Sequence, residues 1–141
     1  GFAVFREFLQ IKPDLHVAGQ VRNGTTKGID ENALAAYNAP FPDDDHKQGV
    51  RQFPNLVPGT PRTPSAEPNK EAWKILREWK KPFLCAFSDK DPIFSGVENS
   101  FYKLIPGCKD MPHVTIENAG HFLQEDQPNA CVEAILSIKD I

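Results

Sequence analysis

The chain has 141 residues, of which 40% are hydrophobic and 25% are charged, the balance of an ordinary globular domain. The net charge of −3 gives no reason to expect nucleic acid or an anionic membrane as a partner, and no apolar run is long enough for a membrane span. The three cysteines form no CxxC pair, which predicts reduced thiols and a cytoplasmic protein.

The chain begins with a predicted short apolar helix. Phe2, Phe5 and Phe8 recur every three residues, which favours a helix over residues 2–10 with these rings along one face. Pro13 predicts that the helix ends shortly before it.

The rest of the first half is predicted to mix loops with short helices. Residues 19–29 have loop composition, and Asp30 is suited to cap a helix that runs through Tyr37. The acidic run 43–45 predicts another helix start, because its spacing does not match a calcium loop. Five prolines within residues 54–68 predict a linker or an irregular wrapping segment.

The second half alternates between helix and strand patterns. A helix is predicted over residues 71–79, and the continuously apolar run 83–87 predicts a strand buried on both faces. A helix over 98–105, a strand over 114–117 and a helix from about 128 to 140 follow. This alternation is typical of an α/β protein with a mostly parallel sheet.

Two strands do not make such a sheet, because a buried parallel strand needs neighbours on both sides. We therefore expect the remaining strands to come from an N-terminal core absent from this sequence or from a partner chain. On this interpretation residues 1–68 are a helical cap segment. Residues 69–141 are the C-terminal part of the core.

The carboxyl ends of the two predicted strands carry the candidate catalytic residues. Asp91 follows the first strand, and His121 follows the second on a loop with a small neighbour, Gly120. Ligands and catalysis in open α/β sheets lie beyond these strand ends, and adjacent strands are about 5 Å apart. Asp91 is therefore expected to accept a hydrogen bond from His121 and leave the other ring nitrogen as a base. Asp89, which comes sooner after the strand, is the rival acid.

The other histidines carry no comparable signal. His16, His46 and His113 share no ligand spacing with one another or with the cysteines, so structural roles are predicted for them. We expect no metal and no cofactor.

Four sequence blocks resemble successive blocks of haloalkane dehalogenases. AGHF followed by QED is shared by many α/β-hydrolases, whereas APFPD and VRQFP-LVP are much more specific to the dehalogenases. The blocks cover most of the chain from about residue 30 onward: residues 36–43, 49–58, 87–93 and 119–126. The resemblance implies a partial α/β-hydrolase fold, with a cap segment followed by the last strands and helices of the sheet.

The resemblance also implies a two-step hydrolysis of a carbon–halogen bond. In this family an aspartate displaces halide and forms an ester, so His121 would activate the water that cleaves it and Asp91 would be its carboxylate partner. The nucleophile and the oxyanion loop would precede residue 1, so the isolated chain is predicted to be inactive. An epoxide or ester hydrolase of the same fold and a non-catalytic truncated product are the alternatives.

An apolar substrate-binding lining is implied as well, which suits a small halogenated alkane with few hydrogen-bonding groups. At one of these positions, Phe5, the family often has a halide-binding tryptophan, and phenylalanine lacks its N–H donor. The matching positions are Phe2, Phe5, Phe53, Pro54, Val57, Ile93, Phe94 and Phe122.

Overall fold

The computed structural model describes residues 2–138 and divides them into two compact units. The first comprises the chain up to Arg22 together with Ile29–Ala72, and the second comprises Asn23–Gly28 and the chain from Trp73 onward. Within the described residues, no helix combines the length and the apolar character needed to cross a membrane.

The first unit is helical. Its helices are α1 (Phe2–Ile11), α2 (Val17–Asn23), α3 (Glu31–Asn38) and α4 (Gln48–Gln52), with the start of α5 (Ala66–Leu76) and 3₁₀ turns at Asp45–Lys47 and Phe53–Leu56. Leu9 is the buried residue of α1, while Phe8 is exposed, so the three phenylalanines of this helix do not share a buried face.

The predicted cap of α3 is confirmed, but the loop predicted over residues 19–29 is partly wrong. Asp30 accepts a hydrogen bond from the Ala33 N–H at 2.8 Å. Residues 17–23 form α2 because Val17, Ala18 and Val21 are buried together. His16 accepts from the Gly19 N–H at 3.0 Å and acts as a capping side chain, a role that sequence rules do not assign to histidine.

Helix α5 starts earlier than predicted, at Ala66 rather than Glu71, and ends at Leu76 rather than Trp79. Pro68 lies in the first turn of this helix, where backbone N–H groups have no intrahelical acceptor, so proline costs little there. The proline-rich stretch is therefore shorter than the sequence indicated.

The second unit holds a two-stranded parallel sheet among the described residues. Strand β1 (Ala86–Ser88) pairs with β2 (Val114–Ile116), and Ala86 lies opposite Val114. The remaining helices are α6 (Glu98–Leu104), α7 (Leu123–Asp126) and α8 (Pro128–Ser137), with a 3₁₀ turn at Pro106–Cys108. The predicted continuation of the last helix to residue 140 lies partly outside the described residues.

Strand β1 corrects the prediction of a doubly buried strand over residues 83–87. It begins only at Ala86, its three residues are half-buried, and β2 is its one partner within residues 2–138. Before it, Phe83 N–H donates to the Gly107 carbonyl and Cys85 O accepts from Val114 N–H. A strand paired on one edge keeps part of its surface exposed.

Each face of the sheet carries its own apolar cluster, because successive strand residues point to opposite faces. One cluster contains Cys85, Ile105, Cys108, Trp73, Leu76, Phe83, Phe87 and Phe101. The other contains Ile116, Ala119, Ala134, Leu84, Ala86, Val114, Leu123 and Ala130. Helices therefore pack on both faces, as the α/β prediction requires.

The cysteines of this unit are free thiols, and two of them, Cys85 and Cys108, are buried. Burial raises the pKa of the Cys85 thiol to about 12, so it stays protonated at neutral pH. His113 accepts from the Cys85 N–H at 3.1 Å through Nδ1, so its Nε2–H donates to Cys108 O at 3.0 Å. The predicted structural role of His113 agrees with these bonds.

The first unit depends on Arg51, which yields a stability prediction. The Arg51 side chain, 12% exposed, donates to the carbonyls of Leu9, Lys12 and Pro13 at 2.7, 2.9 and 3.3 Å and so satisfies acceptors in the last turn of α1 and directly after it. Arg51→Met keeps the aliphatic stem and leaves these carbonyls unpaired. We expect urea denaturation to show a loss of about 2–3 kcal/mol.

The matched control is Arg62→Met, since Arg62 is exposed. Equal unfolding free energies for the two variants would show that the Arg51 bonds contribute nothing.

Candidate active site

The site lies where β1 and β2 end side by side. Beyond the strands the two backbones stay in contact, since Asp89 N–H donates to Ile116 O at 3.2 Å and Lys90 N–H to Ala119 O at 3.0 Å. The loops that carry Asp91 and His121 are therefore fixed to each other directly after the sheet.

Asp91 and His121 are hydrogen-bonded. His121 Nδ1 lies 3.0 Å from Asp91 Oδ2, and Ile93 N–H donates to Oδ1 of the same carboxylate at 2.7 Å. Because a carboxylate only accepts, the proton of a neutral imidazole resides on Nδ1. Nε2 is then the unprotonated nitrogen and can act as a base.

The environment keeps Asp91 ionised. The residue is only 8% exposed, and its burial acts to raise its pKa. Hydrogen bonds from the Ile93 N–H and from His121 outweigh that effect, so the pKa of Asp91 lies below its ordinary value. The His121 side chain is 28% exposed, so its ring combines an ionised partner with access from outside.

Asp89, the rival acid, has a different partner. Its Oδ1 accepts from the Ala119 N–H at 3.0 Å, and this bond is the main reason that the pKa of Asp89 lies below its ordinary value. The neighbouring Asn118 adopts a left-handed conformation with φ 57° and accepts from Lys90 Nζ at 3.1 Å. Asp89 therefore shapes the histidine loop and leaves the imidazole to Asp91.

Sequence reasoning missed Asp126, which is 3% exposed. Its Oδ2 accepts from the Gly120 N–H at 2.8 Å, next to His121. Its other donors are the backbone and hydroxyl of Thr26 and the backbone of Lys27, about 100 positions away. No local pattern reveals such a partner.

Two predicted lining residues surround the imidazole. The rings of Phe94 and Phe122 lie 5.5 and 5.1 Å from that of His121, centroid to centroid, and the Phe122 ring stands edge-on at 82°. Ile93 and Phe94 are exposed, whereas Phe122 is half-buried. This part of the predicted set thus gathers within the second unit.

The other predicted lining residues belong to the first unit. Phe2 and Phe5 are half-buried on α1, and Pro54 is half-buried in the 3₁₀ turn after α4. Phe53 is 72% exposed and Val57 is 44% exposed. Their assignment to a substrate pocket stays a prediction.

A metal-binding cluster of histidine, cysteine and carboxylate side chains does not occur among residues 2–138. The chemistry that the site can perform is proton transfer at His121 Nε2, in apolar surroundings.

The site should loosen in acid. Asp89, Asp91 and Asp126 all have a pKa below the ordinary 3.8, so their ionised forms stabilise the fold above that pH. This contribution is lost as the pH falls below about 3.8 and through the lowered values. Hydrogen exchange of residues 118–123 should follow its intrinsic pH dependence from pH 7 to about pH 4 and accelerate beyond that dependence below about 3.8.

Asp91→Asn should reduce this acid-dependent acceleration, because one of the three titrating carboxylates is gone. Glu117→Gln, at an exposed carboxylate close by, is the control that should leave it unchanged. An acid response in Asp91→Asn equal to that of the unmodified chain would contradict the assignment.

Comparisons with known proteins support a single family. The chain is 49% identical to a haloalkane dehalogenase of Psychrobacter cryohalolentis over 127 residues, 90% of this chain and 42% of that protein. It is 40% identical to a haloalkane dehalogenase of Mycolicibacterium paratuberculosis over 136 residues, 96% of this chain and 45% of that protein. The chain thus spans less than half the length of these curated relatives. No family model matches it.

The fold agrees with a solved relative. The tetrameric haloalkane dehalogenase DpaA from Paraglaciecola agarilytica NO2 superposes with a TM-score of 0.79 at 25% identity, over 99% of this chain and 44% of that one. The resemblance inferred from the sequence blocks is confirmed: along most of its length the chain is similar to part of a haloalkane dehalogenase, and its fold is that of part of an α/β-hydrolase.

Proposed function

We propose that this chain supplies the base and its carboxylate partner for hydrolysis of a carbon–halogen bond. An aspartate outside the present sequence attacks the substrate carbon, expels halide and forms an alkyl ester. Nε2 of His121 then takes a proton from water, the resulting hydroxide attacks the ester carbonyl, and alcohol leaves as the aspartate carboxylate is regenerated. The imidazolium releases its proton to solvent, so alcohol, halide and one proton are the net products. Water and a small halogenated alkane are the reactants.

The observation that carries this proposal is the 3.0 Å bond from His121 Nδ1 to Asp91 Oδ2. It sets the tautomer that leaves Nε2 free to take a proton. It also places an ionised carboxylate where positive charge develops on the ring as the water is deprotonated. Both effects lower the barrier of the second step and neither requires a metal.

The aromatic surroundings of His121 support an apolar substrate. Phe94 and Phe122 present hydrocarbon surface beside the base, and neither ring has a polar group. Such surroundings favour a haloalkane over a substrate with many hydrogen-bonding groups. The relatives described above are named haloalkane dehalogenases, which favours this reading over an epoxide or ester hydrolase.

We further propose that residues 1–68 act as the cap segment and residues 69–141 as part of the core, in a cytoplasmic protein. The apolar lining then includes Phe2, Phe5, Phe53, Pro54 and Val57 from the cap segment. The nucleophile and the missing strands come from an N-terminal core or a partner chain, so the 141-residue chain by itself has no turnover.

A chimera tests the mechanism. In the Psychrobacter cryohalolentis relative, the matched segment is replaced by this chain, which restores a nucleophile. Halide release is expected from the chimera and not from the 141-residue chain. His121→Ala in the chimera should lower turnover by about 10²–10⁴-fold and accumulate the alkyl-enzyme ester, seen as a mass increase on the intact protein.

The matched control is His46→Ala, since His46 is exposed and bonded to Asp43 within the first unit. It should turn over substrate normally and show no adduct. A His121→Ala chimera that releases product at the unmodified rate, or never forms an adduct, would contradict the proposed base role.

The isolated chain should self-associate. Strand β1 pairs on one edge only within the described residues, and α8 exposes Val132, Ile135 and Leu136 at 52, 66 and 47%, followed directly by Ile138 at 41%. An unpaired strand edge and an apolar helix face both promote association. Light scattering coupled to gel filtration should show species larger than 15.8 kDa. A monodisperse monomer with cooperative unfolding would disprove it.

A further inference from the structure

The backbone on both sides of His121 is held by Asp126, which is near in sequence, and by a segment about 100 positions upstream. Gly120 N–H, before the histidine, donates to Asp126 Oδ2 at 2.8 Å. Phe122 N–H, after it, donates to Gly24 O at 3.2 Å. We call Asp126 and the segment Asn23–Gly28 the clamp. All of these residues belong to the second unit, so the clamp and the histidine loop form one compact body.

Asp126 joins the two parts of the clamp. Its carboxylate accepts from the Thr26 N–H at 2.9 Å and from the Lys27 N–H at 3.1 Å, in addition to the Gly120 N–H. Lys27 Nζ donates to the backbone carbonyl of Asp126 at 3.0 Å. A buried carboxylate with three backbone donors fixes geometry strongly, because each charge-assisted bond is directional and replaces water.

The Thr26 hydroxyl extends the clamp to the start of the histidine loop. Its oxygen lies 2.9 Å from both Asp126 Oδ1 and the Asn118 carbonyl oxygen, so one proton serves two acceptors. The segment turns away at Gly28, whose φ of 75° is a conformation that glycine adopts without a steric cost. These contacts hold the loop from Asn118 to Phe122.

Gly120 allows the clamp to approach this closely. A Cβ added to Gly120 would collide with the Gly24 carbonyl oxygen. The glycine is therefore required for contact with the segment 23–28.

We propose that Asp126, with Thr26, is a positioning residue for His121: it holds the backbone on which the imidazole reaches Asp91. The inference rests on the proposed base role of His121. Because the ring must point Nδ1 at Asp91 and Nε2 at the water at once, a shift of about 1 Å in its backbone breaks one of the two alignments. The described partners of the Asp126 carboxylate are backbone amides and the Thr26 hydroxyl, so its effect on the ring passes through the backbone.

The chain provides both a reporter and an internal control for this proposal. In the chain labelled with ¹⁵N-histidine, His121 should show a proton on Nδ1 that exchanges slowly because Asp91 accepts it. His113 should show its proton on Nε2, bonded to Cys108 O. The two histidines thus have opposite tautomers, and solid-state spectra give the same readout if the chain associates.

Asp126→Asn is the main variant. Its size is unchanged, but its amide nitrogen must face either the Gly120 N–H or the Thr26 and Lys27 N–H groups. We expect loss of the slowly exchanging Nδ1 proton of His121, at least about a tenfold faster hydrogen exchange at Gly120 and Phe122, and an unchanged His113. Glu117→Gln, the exposed charge-matched control, should change none of these. A retained His121 signal with unaltered exchange at Gly120 would overturn the proposal.

A milder pair decides the question if Asp126→Asn also loses the His113 signal. Thr26→Val removes the hydroxyl bonds, and Thr26→Ser keeps them. We expect His121 ring-proton exchange about fivefold faster in Thr26→Val than in Thr26→Ser. Equal rates would refute the clamp. These readouts need no dehalogenation, so they are independent of the chimera experiment. If the His121→Ala chimera traps the ester while the Asp126 and Thr26 variants leave the His121 signal unaffected, the base role stands and only the positioning role is refuted.

Discussion

The site depends on the parallel pairing of β1 with β2, in which Ala86, Phe87 and Ser88 lie opposite Val114, Thr115 and Ile116. Parallel strands end at the same edge of a sheet, so this register brings the acid loop beside the histidine loop. A slip by one residue would turn each side chain to the opposite face and separate Asp91 from His121. Three residue pairs form only a short ladder. The bonds beyond the strands, between Asp89 or Lys90 and the histidine loop, therefore also hold the two loops together.

Three carboxylates near the imidazole of His121 bind different partners. Asp91 contacts the ring itself, Asp89 accepts from the Ala119 N–H, and Asp126 accepts from the Gly120 N–H. All three are held ionised by their donors, but Asp89 and Asp126 bind backbone amides of the histidine loop, whereas Asp91 bonds to the ring. This explains why the acid nearer to the strand is not the partner of the histidine. Asp89, directly after the strand, accepts from the backbone of the histidine loop, while Asp91, two positions later, reaches the ring.

The sequence predicted those features that local chemistry decides. The Asp30 cap, the helix after it, the order of the two strands and the placement of Asp91 and His121 beyond them follow from residue type and spacing. The sequence did not predict helix α2, because burial of Val17, Ala18 and Val21 overrides a loop-like composition that includes Gly19. The role of Asp126 was not predicted, because its donors at Thr26 and Lys27 are separated from it by 100 and 99 positions, whereas pattern rules describe neighbours in sequence.

The acid–base pair and the contacts described for it lie within the second unit. Asp91, His121, Phe94 and Phe122 belong to the second unit, and so do the anchors of the histidine loop, since Asn23–Gly28 is grouped with it. The second step of the proposed hydrolysis is therefore prepared by a continuous C-terminal stretch and one short segment from far upstream. General-base catalysis requires the base to be aligned with the water that it deprotonates, and the described contacts that would align His121 in the proposed mechanism lie inside this unit. The described geometry of His121 is in that sense a property of the fold of this unit.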